Sequence, residues 1–311
     1  MLLSVIIVSY NTKALTLQTI ESVYDSTQHS TLLHKHTEVW VVDNNSNDGS
    51  QAAVVALQKK HHTLQLIQND DNLGFSAANN AAIEHAQGEF ILLLNSDTVV
   101  QDNALEKLVT QMQKREELGI LAAQLLNPDH TIQAQGGSFP TLASLASHML
   151  FLDDLPIIGK LFPSTQHTGK NHRNAHQTAI YQLDWVGGTA MLIRREVIEE
   201  IGMLDSAIFM YGEDVEYCMR ARHYLWEVAV LPSAKILHYG SASSSSKNAI
   251  LGELRSYLYI WAKHKPLWQM GIARGLIRAG IYLRRFLFGT MSKDSKRALI
   301  YKEAVQVLKN A

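Results

Sequence analysis

The chain has 311 residues, 46% of them hydrophobic and 18% charged, a composition that supports a sizeable core and excludes an intrinsically disordered chain. Its net charge of -1 hides a division: residues 251–311 carry twelve Lys/Arg against three Asp/Glu, net +9, and the first 250 residues sixteen against twenty-six, net -10. An acidic body with a basic end argues against a general nucleic-acid binder, and the single cysteine, Cys218, excludes an intramolecular disulfide and suits a reducing compartment, the cytoplasm.

Apolar, β-rich runs at residues 5–8, 39–42, 64–67, 90–94 and 120–126 alternate with helix-like stretches, which predicts a mainly parallel sheet covered on both faces. The first run reads as a strand rather than a signal peptide, and no apolar run approaches the roughly 20 residues of a membrane-spanning helix. In such sheets ligands bind beyond the carboxyl ends of the strands, where polar clusters sit: Ser9-Tyr10-Asn11, the loop from Asp43 to Ser50, and Asn95-Ser96-Asp97. Periodicity fades from about 140 to 182, read as a long, partly mobile insertion over the site. Patterning resumes at 185–193, 194–201, 209–222 and 227–231, and Ser241 to Ser246 reads as a linker into the basic end.

Asp97, at a strand end, suits a divalent cation, Mg²⁺ or Mn²⁺, that neutralises a departing diphosphate; alternatively, Asn95-Ser96-Asp97 caps a helix beginning near Asp102. Asp43 ends an apolar strand and can accept from a pyrimidine imide N–H, whereas Asp48 reads as a turn and cap residue. The run from Asn72 through Gly74 to Asn79 and Asn80 opens a small-residue helix whose free N–H groups suit an anion, or which simply packs tightly on the sheet. Glu213, Asp214 and Glu216 cluster at a helix start, favoured there by the helix dipole. Adjacent charges would also raise one carboxyl's pKa and suit it to act as a general base; Asp214 is the candidate. Val215 and Met219 are expected to supply apolar contacts, Cys218 to be buried, and Arg220 to pair with Glu216. His238 is either structural or a second metal ligand.

In this order the motifs resemble the family 2 glycosyltransferases, especially their bacterial rhamnosyltransferase-like branch. The resemblance runs over residues 2–245: Val-Ser-Tyr-Asn; the Asp-Asn-Asn-Ser-Asn-Asp-Gly-Ser loop; Asn-Leu-Gly-Phe with Ala-Asn-Asn; Leu-Asn-Ser-Asp; Trp185-Val186-Gly187-Gly188-Thr189 and on to Arg195; Gly-Glu-Asp-Val-Glu; and His-Tyr-Gly. It implies a GT-A fold, an inverting displacement and a divalent metal. It assigns Asp43 to the nucleotide base, Asp97 to the metal, Asp214 to the acceptor proton, His238 to metal or diphosphate, and Trp185 with Gly187 and Gly188 to the acceptor side. Asn95 stands where many relatives have aspartate. The implied donor is a nucleotide-diphosphate sugar, L-rhamnose above other hexoses, and the acceptor a glycan or polyprenyl-diphosphate-linked sugar. A noncatalytic sugar-nucleotide binder is disfavoured by the joint presence of Asp97 and Asp214. A dinucleotide-dependent oxidoreductase is disfavoured by the lack of a glycine fingerprint after the first strand.

The expected domains are a glycosyltransferase domain over 1–245, divided near 126 into nucleotide and acceptor parts, and a basic amphipathic tail over 246–311. Within 266–288, Arg274, Arg278 and Arg285 fall on one helical face amid apolar residues. That pattern suits the cytoplasmic face of a cell membrane; the alternative is packing on the catalytic domain or on a dimer partner.

Overall fold

A computed structural model of the chain describes residues 1–153, 155, 161–162, 164–165, 179–240, 246–291 and 294–310. The chain divides into two compact units, one of Met1–Gly136, His167–Phe209 and Glu213–Ser243, the other of Gly137–Gln166, Met210–Gly212 and Ser244–Ala311.

The first unit is built on a sheet. Strands β1 (Leu3–Ser9), β2 (Thr37–Asp43), β3 (Leu64–Gln68) and β4 (Phe90–Asn95) are followed by the short β5 (Thr98–Val100) and by β6 (Leu118–Leu126). After the two-residue strands β7 (Gly136–Gly137), β8 (Tyr181–Gln182) and β9 (Trp185–Val186) come β10 (Ala190–Arg194) and β11 (Glu227–His238). The sheet order is β3-β2-β1-β4-β10-β6-β11-β5, with β8 beside β11. Strands β3, β2, β1, β4, β6 and β11 run one way and β10, β5 and β8 the other, so the sheet is mainly parallel as expected. Every residue of β6 is buried, as are all of β1 but Val8 and all of β4 but Asn95, because both faces are covered.

Helices α1 (Lys13–Thr27), α2 (Ser50–Gln58), α3 (Gly74–Ile83) and α4 (Ala104–Gln113) follow the early strands. Helix α4 buries Leu105, Leu108, Val109 and Met112, the i, i+3, i+4, i+7 stripe of a surface helix. Burying each such side chain contributes about 1.5–3 kcal/mol.

The second unit holds α5 (Leu142–Met149), so the segment read as a partly mobile insertion begins with a helix. Its start is a capping box: Thr141 Oγ1 accepts from Ser144 N–H, and Ser144 Oγ accepts from Thr141 N–H. Residues 166–178, the centre of that expected insertion, and 241–245, most of the expected linker, lie outside the described residues. Helices α6 (Arg195–Ile201) and α7 (Glu213–His223) belong to the first unit; α8 (Ser246–His264), α9 (Leu267–Phe286) and α10 (Ser295–Asn310) complete the second. There Leu145, Met149, Leu258, Trp261, Ala273, Ile277, Ile281 and Ala304 share one core. The tail therefore folds around its own apolar centre, together with α5. Arg284 is buried and donates from Nη1 and Nη2 to the carbonyls of Met149 and His148, whereas Arg274, Arg278 and Arg285 are exposed.

Candidate active site

Parallel registry sets Ser9 beside Asp43 and Val8 beside Asn95, so β1, β2 and β4 end at one level. Asp43 is buried; its Oδ1 accepts from Ser46 N–H and Gln51 Nε2, both at 2.9 Å, while Oδ2 finds no hydrogen-bond partner among the described residues. A buried acceptor left open costs about 1–3 kcal/mol, so this atom suits a ligand's donor. Asn11, at φ 53°, spans to the next loop: its N–H donates to Ser46 Oγ and its Oδ1 accepts from Asn47 N–H. Asp48 Oδ2 accepts from Lys13 N–H at the start of α1, a structural task, as read. Tyr10 is half-buried.

Ser9 and Ser96 have other partners than the ligand contacts expected of them. Ser9 Oγ lies 2.8 Å from Thr16 Oγ1, and Ser96 Oγ lies 3.0 Å from Thr12 Oγ1, in a buried hydroxyl cluster that ties β1, α1 and the end of β4 together. The first N–H groups of α3 are also engaged. Gly74 N–H donates to Asn72 Oδ1, and Phe75 N–H donates to Phe209 O at 2.7 Å. A loop of the protein thus sits where a free anion site was expected; a Cβ on Gly74 would lie 2.3 Å from that carbonyl, and its φ of +81° also favours glycine. Asn79 is buried, donating to Phe75 O, with Oδ1 unpartnered among the described residues.

Asn95-Ser96-Asp97 does not cap a helix. Strand β5 follows at once, and α4 begins at Ala104 with Asn103 at its N-cap. Pairing of β5 with the end of β11 sets His238 beside Thr98, and His238 Nε2 lies 3.3 Å from Asp97 Oδ1. His238 is the last residue of β11. An octahedral ion with bonds of about 2.1 Å spaces adjacent ligands about 3 Å apart, so this pair fits one edge of such a site. Among the described residues no group of three or more His, Cys, Asp or Glu could hold a metal. Two protein ligands suit a cation whose remaining positions are filled by a diphosphate and water.

Asp214 is reached through Gly188: Asn95 N–H donates to Thr189 O, and Gly188 N–H donates to Asp214 Oδ2 at 3.2 Å. Val215 N–H donates to Asp214 Oδ1 at 2.8 Å. Burial raises the Asp214 pKa above the ordinary value, against the backbone N–H bonds from Val215, Gly188 and Asp214 itself that lower it. The expected shift is present, but desolvation rather than neighbouring charge causes it. A Cβ on Gly188 would come within 3.1 Å of the Phe75 ring, so the glycine lets Phe75 pack closely there. Gly187 N–H donates to Gln135 O, and Trp185 is half-buried.

On α7 the inward face is Glu213, Glu216, Tyr217, Cys218 and Ala221; Val215 and Met219, expected there, are only half-buried. Glu216 tolerates burial because Arg220 Nε donates to both its oxygens at 3.0 Å. Arg194 and Arg195 of the matching motif donate to the carbonyls of Met112, Leu118, Gly88 and Ala86, and so brace the sheet rather than the site. The sequence reading missed Gln133 and Gln135. Gln135 Oε1 is buried without a hydrogen-bond partner among the described residues, and Gln133 Oε1 lies 2.6 Å from His238 Nδ1.

The sheet is mainly parallel, and Asp43 and Asp97 stand at or just beyond the carboxyl ends of β2 and β4. The chain belongs to the glycosyl transferase family 2, whose profile matches residues 4–202. It is 22% identical over 277 residues, 84% of this chain and 87% of the relative, to an N-acetylglucosaminyl-diphospho-decaprenol L-rhamnosyltransferase of Mycobacterium tuberculosis. It is 30% identical over 68% of its length to the O-antigen biosynthesis protein RfbC of Myxococcus xanthus, of which it spans 15%. Among solved structures it is similar to the mannosyltransferase PcManGT of Pyrobaculum calidifontis in complex with GDP-Man and Mn²⁺ (TM-score 0.57, 14% identity, 99% of this chain and 84% of that one). Another is S. aureus TarS 1-349 in complex with UDP-GlcNAc (TM-score 0.54, 15% identity, 99% and 82%).

Proposed function

We propose that this glycosyltransferase uses Mn²⁺ or Mg²⁺ to move L-rhamnose from a deoxythymidine-diphosphate donor, with inversion, onto a lipid-diphosphate-linked or glycan hydroxyl. The supporting observation is the pair Asp97 Oδ1 and His238 Nε2, 3.3 Å apart, in the same unit as the raised, N–H-held carboxyl of Asp214. Asp43 Oδ2, a buried acceptor, receives the imide N–H of the pyrimidine. Asp97 and His238 would hold the cation, which would supply positive charge to offset the leaving diphosphate; Asp214 would take the acceptor proton. The sugar and lipid-linked acceptor are those named for the mycobacterial relative, which matches 84% of the chain. A thermal-shift panel of nucleotide sugars with and without Mn²⁺ tests the reading. The largest stabilisation should come from dTDP-rhamnose with metal; stabilisation by another hexose donor alone would reassign the sugar, and none by any diphospho sugar would refute the reading.

The lipid-linked acceptor calls for a membrane surface, and α9 supplies a face for one. Leu267 (86% exposed), Trp268 (67%), Ile272, Tyr282 and Phe286 are exposed on it together with Arg274, Arg278 and Arg285. An apolar stripe with arginines beside it suits an anionic bilayer interface; among the described residues no helix is long and apolar enough to cross one. Because α9 also carries Ala273, Ile277 and Ile281 into the core of its unit, deleting it would unfold that unit, and point changes are the cleaner test. Changing the three arginines to glutamine should weaken sedimentation with phosphatidylglycerol vesicles by about 100-fold, at about 1 kcal/mol each, with the loss shrinking at high salt. Unchanged vesicle binding would refute this face.

A further inference from the structure

We propose that Gln133 is a positioning residue that fixes His238 in the tautomer whose Nε2 lone pair faces Asp97, so that the pair binds a divalent cation instead of satisfying itself. The inference rests on the metal reading of Asp97 and His238. It follows from a chain of hydrogen bonds whose directions can be assigned one after another.

The chain starts at Asp129, whose carboxylate only accepts. Thr131 Oγ1 lies 2.6 Å from Asp129 Oδ1, so the one hydroxyl proton of Thr131 is committed there. The Asn127 amide lies 2.9 Å from the same hydroxyl, which can now only accept; Asn127 therefore presents its NH₂ to Thr131 and its Oδ1 elsewhere. That Oδ1 lies 2.9 Å from the Gln133 amide, which must turn its NH₂ towards it. The Gln133 carbonyl is then the group 2.6 Å from His238 Nδ1. A carbonyl only accepts, so Nδ1 carries the proton and the neutral ring keeps its lone pair on Nε2, 3.3 Å from Asp97 Oδ1.

The backbone holds this relay in place. Asn127 N–H donates to Thr131 O, His130 N–H to Asn127 O and Gln133 N–H to Leu125 O, closing a tight turn after β6 with His130 at φ 61°. Without an acceptor at Nδ1 the ring could adopt the other tautomer, donating Nε2–H to Asp97 and removing a ligand. With it, two electron-rich atoms face one another at the spacing of adjacent ligands on an octahedral cation.

The test measures Mn²⁺ affinity in the presence of dTDP, and separately of UDP, by electron paramagnetic resonance, for wild type, Gln133→Leu, Gln133→Glu and His238→Ala. Nitrogen-15 NMR of the metal-free protein, at a pH where the ring is neutral, reports its tautomer. Gln133→Leu should bind Mn²⁺ about 10–100-fold more weakly, the usual cost of losing a group that orients a metal ligand, and should show Nε2–H. Gln133→Glu, which keeps an acceptor at Nδ1, should stay within a few-fold of wild type and show Nδ1–H. Wild-type affinity in Gln133→Leu, or an Nε2–H ring in wild type, overturns the role of Gln133 while leaving the metal pair intact. If neither wild type nor His238→Ala binds Mn²⁺ with either nucleotide, the metal reading itself falls and the inference falls with it. Should Gln133→Leu fail to fold, the wild-type tautomer and Gln133→Glu still decide.

Discussion

Asp97→Ala is expected to abolish metal-dependent donor binding, weakening dTDP-rhamnose affinity in Mn²⁺ on the order of 10²-fold or more, because the cation that offsets the diphosphate charge is worth several kcal/mol. Asp97 is buried, and its Oδ1 lies against His238 Nε2, so the variant would lose half of the proposed ligand pair. Titration calorimetry with and without Mn²⁺ separates this from general damage: the metal-free affinity of the variant should match that of metal-free wild type. Retained metal-dependent affinity would remove Asp97 from the site.

Asp214→Asn should leave donor affinity within a few-fold and lower kcat by roughly 10²–10⁴-fold, the range for loss of a general base. The amide keeps one acceptor for Val215 N–H but turns an NH₂ towards Gly188 N–H, so a modest fall in Tm should accompany the kinetic loss. The pH profile gives an independent reading. Burial raises the Asp214 pKa, so the carboxyl stays protonated above the ordinary aspartate range and becomes a base only as pH rises through the raised value. The acid limb of kcat/KM should therefore lie above about 3.9 and vanish from the residual activity of Asp214→Asn. The stability contribution has the opposite sign. A carboxyl with a raised folded pKa favours the fold at low pH, and that contribution is lost as pH rises through the raised value.

The strands of the parallel half were legible because a strand buried on both faces must be apolar throughout: β1, β2 and β4 announce themselves as Val/Ile/Leu runs. The sequence pattern carries β11 only to Leu231, the residue before Pro232. The structure carries the strand past it through a register shift between Leu231 and Lys235 against β6, where a missing N–H breaks no ladder. That continuation delivers His238 to Asp97. Strand β5, three residues long, exists only by pairing with the same stretch, so local pattern could not reveal it or exclude the capping role for Asp97. Asp43 and Asp214 were legible as carboxylates at element ends. What the loops do with their own donors was not. Gly74 and Phe75 give their N–H groups to Asn72 and Phe209, partners set by tertiary contacts, and Gln133 meets His238 from 105 residues away.

Transfer itself is directly measurable. Purified protein is incubated with dTDP-L-rhamnose and an N-acetylglucosaminyl-diphospho-lipid, with Mn²⁺ or with chelator, and the products are read by mass spectrometry and anomeric NMR. A rhamnosylated lipid of inverted anomeric configuration is expected, forming with Mn²⁺, stopping in chelator and returning when Mn²⁺ is added back. Full turnover in chelator, or a product retaining the donor's configuration, would refute a metal-dependent inverting transfer.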